Sequence, residues 1–431
     1  MSDDHRSYPP RAAREYEPSK DLLDWMIDQF EQVGPFYRAS LYGVNAYFIN
    51  DVDYIQQILR DRWRNYNKNT IAMKRIRMLT GNGIITSDGH LWKKQRRLMQ
   101  PAFHRDVISR LTDTIVKANS TLLDNWEHAA RKRESVNVTR DIDMMILETV
   151  LVSMFGDDYL EIAPEFEIIA KEPARNLEFA ETFRPLRNVV TRVAAKRRAE
   201  NTVAEDILGM LMEARDRDTH QAMSLDELVT EIMTLIVAGY ETTSLTLTWT
   251  WYLLSRNTDV DSKLGEYLKC RHIDEFREQF SSPSFAYIRQ VLDETLRLYP
   301  PIWLMVRKAS NSDFLGDYFV PARTEIYFSP YLIQRSPALW DAPDRFEPSR
   351  FEPDRSKGRH AFATLPFGAG PRNCIGEGLA QFEMQIHLIM VAKRLRLRYD
   401  DATSPELETG VNLRPKRDFF MFPEFRSTSS A

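Results

Sequence analysis

The sequence predicts a mainly α-helical protein with small β-sheets near its N-terminal and C-terminal parts, and three observations carry that prediction. Apolar residues recur at helical spacing through much of the chain between 52 and 298, and the run Glu231 to Thr243 is apolar on most sides. Two short runs, Phe36 to Leu41 and Ala46 to Ile49, flank Gly43 and read as a β-hairpin. Then Pro300, Pro301, Pro321, Pro330, Pro337, Pro343, Pro348 and Pro353 crowd one region too densely for long helices, leaving short strands and meandering coil.

Taken in order, Met1 to Lys20 is polar and charged. Leu22, Trp25, Met26, Phe30 and Val33 then predict a helix that Gly34-Pro35 stops. Further helices are expected over about 52–60, 91–99, 106–130, 141–155, 203–215, 226–255 and 285–298. After the proline-rich region another helix should run from 379 to about 395, followed by a strand-rich end and a frayed tail over 426–431. Length alone would allow two or three domains. No repeat, low-complexity block or long Gly/Ser linker divides the 431 residues, so 1–431 reads as one domain.

Composition excludes several functions. Lys and Arg number 58 against 62 Asp and Glu, a net charge of −4, so nothing calls for nucleic acid. Two cysteines, Cys270 and Cys374, cannot make a disulfide framework and fit a reducing compartment. No run approaches the roughly 20 apolar residues of a membrane span, which predicts a cytoplasmic protein without a membrane anchor. The eight histidines show no metal-binding spacing.

The most telling stretch is Phe367-Gly368-Ala369-Gly370-Pro371-Arg372-Asn373-Cys374-Ile375-Gly376. Its glycines allow backbone to pass close to something flat, and Cys374 then precedes a helix. A thiolate there would be stabilised by free N–H groups and the helix dipole, which suits it to hold a metal. For the loop by itself, a buried structural thiol is equally open. Elsewhere, Ala238-Gly239-Tyr240-Glu241-Thr242-Thr243 puts a glycine, an acid and two hydroxyls inside the apolar helix. Thr242 there could serve a site or simply bond back to its own helix. Glu294 and Arg297 share a helical face beside Leu298-Tyr299-Pro300-Pro301. Trp92 and Arg96 share another, while Lys93, Lys94 and Arg97 point away from it.

Together these motifs resemble the cytochromes P-450, the haem-thiolate monooxygenases, over nearly the whole chain. The resemblance implies a large helical domain around a buried haem b, with Cys374 as axial thiolate and Phe367, Gly368, Gly376 and Ala238 against the cofactor. Trp92, Arg96, Arg307 and Arg372 would hold the propionates, and Glu294, Arg297 and Arg350 would form the structural network. Thr242 would hydrogen-bond the bound dioxygen and Glu241 would relay protons. The sequence departs from the family at Ser349 and at Gln334, and 157–225 looks short for the roof over the substrate.

By the same analogy Leu235, Ala238, Ile302, Trp303, Met305 and Phe420 line a pocket for a small, mostly apolar or aromatic molecule, although core packing accounts for such residues as well. Lys68, Lys74, Arg75 and Arg77 either attract a carboxylate or lie on a solvated loop. No nucleotide-binding loop is present, so electrons should come from a ferredoxin or flavodoxin-type donor with its own reductase, docking near Lys93, Lys94 and Arg97. The leading expectation is a monooxygenase in biosynthetic tailoring or catabolism. Oxidative cyclisation, coupling or peroxide-driven oxidation is the alternative on the same haem, and a non-catalytic haem sensor or carrier the alternative from another class.

Overall fold

The computed structural model describes residues 7–426 apart from 172–178, 203 and 280–281, together with the side chains of those residues except 167–171, 179–183 and 278–279. Asp21 caps the first helix, Leu22–Val33, by accepting from the Leu23 and Asp24 N–H groups. Strands Phe36–Leu41 and Val44–Ile49 pair across Tyr42-Gly43, and both turn residues take positive φ, the geometry that tight hairpins favour. Val44–Ile49 then runs parallel to Glu325–Phe328, which is followed in the sheet by Met305–Ala309 and Tyr66–Asn67. The proline-rich region thus completes a five-stranded sheet begun some 250 residues earlier. A second sheet joins Val136–Asn137, Phe420–Phe425 and Leu395–Arg398.

The helical body is built around Leu225–Arg256, whose Ser224 and Glu227 form a capping box. At 1.5 Å per residue its 32 residues extend roughly 48 Å, enough to cross the molecule. Around it lie Val138–Phe155, Phe179–Glu200 and Ala286–Leu298. The helix that starts the functional loop's exit, Glu377–His387, packs on Leu225–Arg256 and Thr112–Lys132. His387 is fixed there between Trp251 Nε1, 2.8 Å away, and Asn119 Oδ1, 2.7 Å away, and burial pushes its pKa down to about 3, so the ring is neutral.

Several expected boundaries change. The helix expected over 106–130 divides at Leu111 into Arg105–Arg110 and Thr112–Lys132. The one expected over 203–215 is confined to Ile207–Glu213. Helices Ile71–Thr80, Tyr159–Lys171, Phe179–Glu200, Thr258–Lys269 and Ile273–Gln279 were not foreseen. Pro164 and Pro185 lie inside two of them, and a proline within a helical pattern ordinarily signals a break. Here tertiary packing overrides that signal. The stretch expected to be a shortened roof therefore carries helices of 13 and 22 residues. Residues 7–20 do more than trail: Ser7 and Arg11 bridge to Tyr318 and Arg38, and the Arg14 N–H donates to Gln29 Oε1. Of the expected frayed tail, Arg426 is instead anchored, donating to Ala392 O and Asp261, and 427–431 lies outside the described residues.

Candidate functional site

The Cys374 loop is shaped by its own backbone. Gly368 and Gly370 both have φ near +70°, and a Cβ at Gly370 would lie 2.1 Å from the Leu59 carbonyl oxygen. The Cys374 N–H donates to Phe367 O at 2.8 Å, closing the loop before the helix at Glu377. Solvent reaches Cys374, yet enough protein surrounds it that desolvation is the largest influence on the thiol and pushes its pKa up. The Gly376 and Glu377 N–H groups and Arg96 pull the other way, while the Glu377 carboxylate adds to the rise. Both facts fit a residue on the floor of an internal cleft. The expected stabilisation of the thiolate by the helix start is present but is outweighed by desolvation.

Four cations gather beside this cleft, and the acid among them is Asp88. Arg372 donates from Nη2 to Ser87 O at 2.6 Å and to Asp88 Oδ1 at 2.9 Å, and its guanidinium lies 4.3 Å from the centre of the Trp92 ring. Its Nη1 is buried with no hydrogen-bond partner. Arg307 is 5% exposed and Nη1 finds only the carbonyl of Val306. Desolvation lowers both arginines to about 10, and each repels a neighbouring arginine. Arg96 reaches Asn373 O at 2.8 Å. The fourth is Lys68, whose Nζ donates to Ile85 O at 3.0 Å. Burial and the charges of Arg307 and Arg372 push its pKa well down. On sequence alone Lys68 suits a solvated loop better, because Arg307 and Arg372 lie out of reach of any local pattern.

The long helix Leu225–Arg256 is buried continuously from Leu228 to Leu254 except at residues 237–239 and at Thr242. Ala238 and Thr242 are one turn apart on one face. These four residues are half-buried, Val237 packing against the core and Gly239 facing Val150. Thr242 Oγ1 donates back to Ala238 O at 2.8 Å, and Glu241 is held in an ion pair with Arg414 of the strand Leu413–Pro415. Sequence reasoning missed Arg414, which lies in the strand-rich end with no motif around it.

Glu294 and Arg297 are wholly buried and joined by two bonds, of 2.6 and 2.8 Å. Arg297 also donates to Gln334 O, Pro343 O and Arg345 O, and Arg350 Nε lies 3.2 Å from Glu294 Oε1. Gln334 binds the Leu296 and Arg297 carbonyls through Nε2 and accepts from the Leu365 N–H, so it ties the helix to the segment leading into the Cys374 loop. Ser349 donates to Glu347 Oε1. Both departures from the family pattern are thus fully bonded.

The expected pocket residues separate. Leu235 is buried and Met305 half-buried, with Met305 Cε 3.7 Å from a Cβ built at Gly368. Trp303 belongs to the core with Trp25 and Phe48 and donates to Gly410 O at 3.0 Å, so packing accounts for it. Ile302 and Phe420 are 37% and 56% exposed. Of the three expected docking cations, Lys93 is exposed. Lys94 pairs with Glu227, and Arg97 with Asp216 and Asp218.

The cytochrome P450 family model matches residues 13–186 and 173–422. Cyclooctatin synthase of Streptomyces melanosporofaciens is 30% identical over 86% of this chain and 84% of its own length. Pentalenene oxygenase of Streptomyces avermitilis is 28% identical over 89% of both. Among solved structures, retinoic acid bound cyanobacterial CYP120A1 superposes with a TM-score of 0.85 at 22% identity, over 97% of this chain and 99% of that one. The chain belongs to the cytochrome P450 family: it is an oxidoreductase of the monooxygenase kind, and the family implies haem held by a cysteine thiolate. The described residues fit that group. Buried cations with an unpartnered N–H suit the anionic edge of a porphyrin, and Cys374 suits its metal. Cys270, the other cysteine, is exposed. No helix among the described residues is long and apolar enough to cross a membrane.

Proposed function

We propose that this protein is a haem b monooxygenase that oxidises a small, largely apolar molecule in biosynthetic tailoring. The observation that supports this best is the gathering of four desolvated cations, Lys68, Arg96, Arg307 and Arg372, around the Cys374 loop, with an unpartnered N–H on Arg372. Haem, when bound, supplies oxygen activation at its iron. The chain's own residues do the rest. Cys374 holds the metal as thiolate, and Lys68, Arg96, Arg307 and Arg372 neutralise the propionates, with Trp92 supporting Arg372. Ala238, half-buried and lacking bulk, would leave room for the cofactor. Thr242 and Glu241 would supply protons for that chemistry, Thr242 by turning its hydroxyl away from Ala238 O and Glu241 by turning from Arg414. Leu235, Met305 and the apolar wall around them exclude water from the substrate.

Relatives named for cyclooctat-9-en-7-ol and pentalenene support an unsaturated hydrocarbon skeleton or its alcohol as substrate. Electrons would come from a ferredoxin or flavodoxin-type donor docking near Lys93. Lys94 and Arg97 contribute less field there, because Glu227, Asp216 and Asp218 offset their charge. The test is the spectrum of the reduced, carbon-monoxide-bound protein. A red-shifted Soret band that Cys374→Ala abolishes is expected; persistence of the band in that variant overturns the ligand assignment.

A further inference from the structure

A separate cavity of about 190 Å³ lies between the helices Thr112–Lys132, Val138–Phe155 and Tyr159–Lys171, and it shares no lining residue with the Cys374 cleft. Helical spacing builds its walls. Asp141, Met144, Met145 and Glu148 recur every three or four residues and so line one stripe of Val138–Phe155, facing Leu122 and Trp126 of Thr112–Lys132. The middle of the trough is apolar: Leu122, Trp126 and Met145 are buried and Met144 is half-buried. Each end carries a carboxylate. Asp141 and Glu148 are two helical turns apart, which sets them roughly 10 Å from one another along the axis. Asp141 Oδ2 accepts from Trp126 Nε1 at 2.8 Å, while Glu148 accepts from no described residue and neither acid is in an ion pair with one. Desolvation is the largest influence on both and raises their pKa values; Trp126 and Arg140 offset it in part at Asp141, and Lys117 does so at Glu148. Two acids are thus desolvated beside an apolar trough with no cation in contact with either.

We propose that this groove binds an extended aliphatic diamine, with one ammonium on Asp141 beside Trp126, the other on Glu148, and the methylene chain over Met144 and Met145. Each end gains a charge-assisted hydrogen bond, and the chain removes apolar surface from water against methionines that adapt to its shape. A metal ion does not fit the same groove. The carboxylates are too far apart to share one, and no group of three His, Cys, Asp or Glu among the described residues is placed to hold one. The site stands apart from the haem and from the reading of the reaction given above.

The test titrates octamethylenediamine, whose nitrogens lie about as far apart as the two carboxylates, into the haem-loaded protein by calorimetry, with putrescine as the short diamine. One molecule of octamethylenediamine per chain should bind, weaken with added salt and raise the unfolding midpoint. Glu148→Gln and Asp141→Asn should each weaken it about tenfold or more, the value of one charge-assisted hydrogen bond. Putrescine should bind the native protein more weakly by the same factor, because it reaches only one carboxylate at a time. An amine can also coordinate haem iron, so the Soret band is followed in the same titration and should not move with this binding event. Absence of saturable binding, affinity unchanged in both variants, or equal affinity for the two diamines overturns the proposal. So does binding that shifts the Soret band and survives both variants. Should the acid variants not fold, Thr121→Lys replaces them. Thr121 is exposed on the rim and its hydroxyl bonds only within its own helix, so the new side chain tethers an ammonium over the groove and should weaken octamethylenediamine about tenfold. Unchanged affinity in that variant overturns the proposal as well.

Discussion

Replacing Glu294 by Gln should destabilise the protein by about 3–5 kcal/mol, the range for breaking a buried ion pair. Everything facing this carboxylate donates. Oε2 accepts from Arg297 Nε, Oε1 accepts from Arg297 Nη2 and the Glu347 N–H, and Arg350 Nε lies 3.2 Å off. A Gln amide has to turn its NH2 group into one of these donors, so it loses a charge and gains a conflict. Arg297 keeps three backbone carbonyls and the face of Trp340, 4.9 Å from its guanidinium carbon, which holds the loss to that range. With an unfolding entropy of about 2 cal/mol/K per residue over 431 residues, the predicted loss lowers the midpoint by roughly 3–6 °C. Circular dichroism of Glu294→Gln during heating, checked by urea unfolding, measures it. Exchanging both partners for apolar residues of similar size should cost less than either single change. A loss below about 1 kcal/mol, the value of an exposed pair, would refute the reasoning.

Lys68→Met should raise the unfolding midpoint of haem-free protein, because it removes a desolvated charge repelled by Arg307 and Arg372. The same change should speed haem loss to a scavenger roughly tenfold or more, corresponding to the ~1.5–3 kcal/mol of a charge-assisted hydrogen bond. Glu383 is raised to about 8 by burial, so between its ordinary value and pH 8 the folded state keeps a proton the unfolded state has lost. Stability therefore falls as pH rises through that window. Glu383→Gln should be more stable than the native protein at pH 8 by on the order of 4 kcal/mol and little different at pH 4 in urea titrations. Gly370→Ala, driven into the Leu59 carbonyl at positive φ, should unfold the loop and cost at least about 2 kcal/mol. Gly376→Ala meets nothing closer than 3.9 Å, so its melting should be unchanged without haem while its haem loading falls.

What the sequence disclosed and what it hid divide by distance along the chain. Cys374 with its glycines, Glu294 with Arg297, and Trp92 with Arg96 lie within a few residues of one another, and their spacing alone places them on one loop or one helical face. Arg414 pairs with Glu241 and Lys68 is repelled by Arg307 and Arg372, all far along the chain, and a lone Lys or Arg in a loop gives no sign of burial. The same limit governed the fold. The Tyr42-Gly43 hairpin was legible from its turn, whereas its parallel union with Glu325–Phe328 depends on tertiary packing. Helices containing Pro164 and Pro185 were lost because a local breaker is weaker than the packing around it.

One expectation changes meaning when the charges are considered together. Cys374 was expected to owe its thiolate to the helix behind it, yet desolvation is the larger influence and raises the thiol pKa. Nearby, Lys68, Arg307 and Arg372 are pushed toward neutrality by the same desolvation and by one another. A cleft that disfavours a thiolate and disfavours its own cations is poorly satisfied by protein alone. A metal displaces the thiol proton, since a coordinated sulfur is deprotonated outright, and carboxylates at the cations remove their mutual repulsion. A single ligand carrying a metal at its centre and carboxylates at its edge relieves both strains together. The electrostatic frustration of the cleft is therefore itself an argument for haem, independent of any motif, and it makes cofactor binding a source of folding stability.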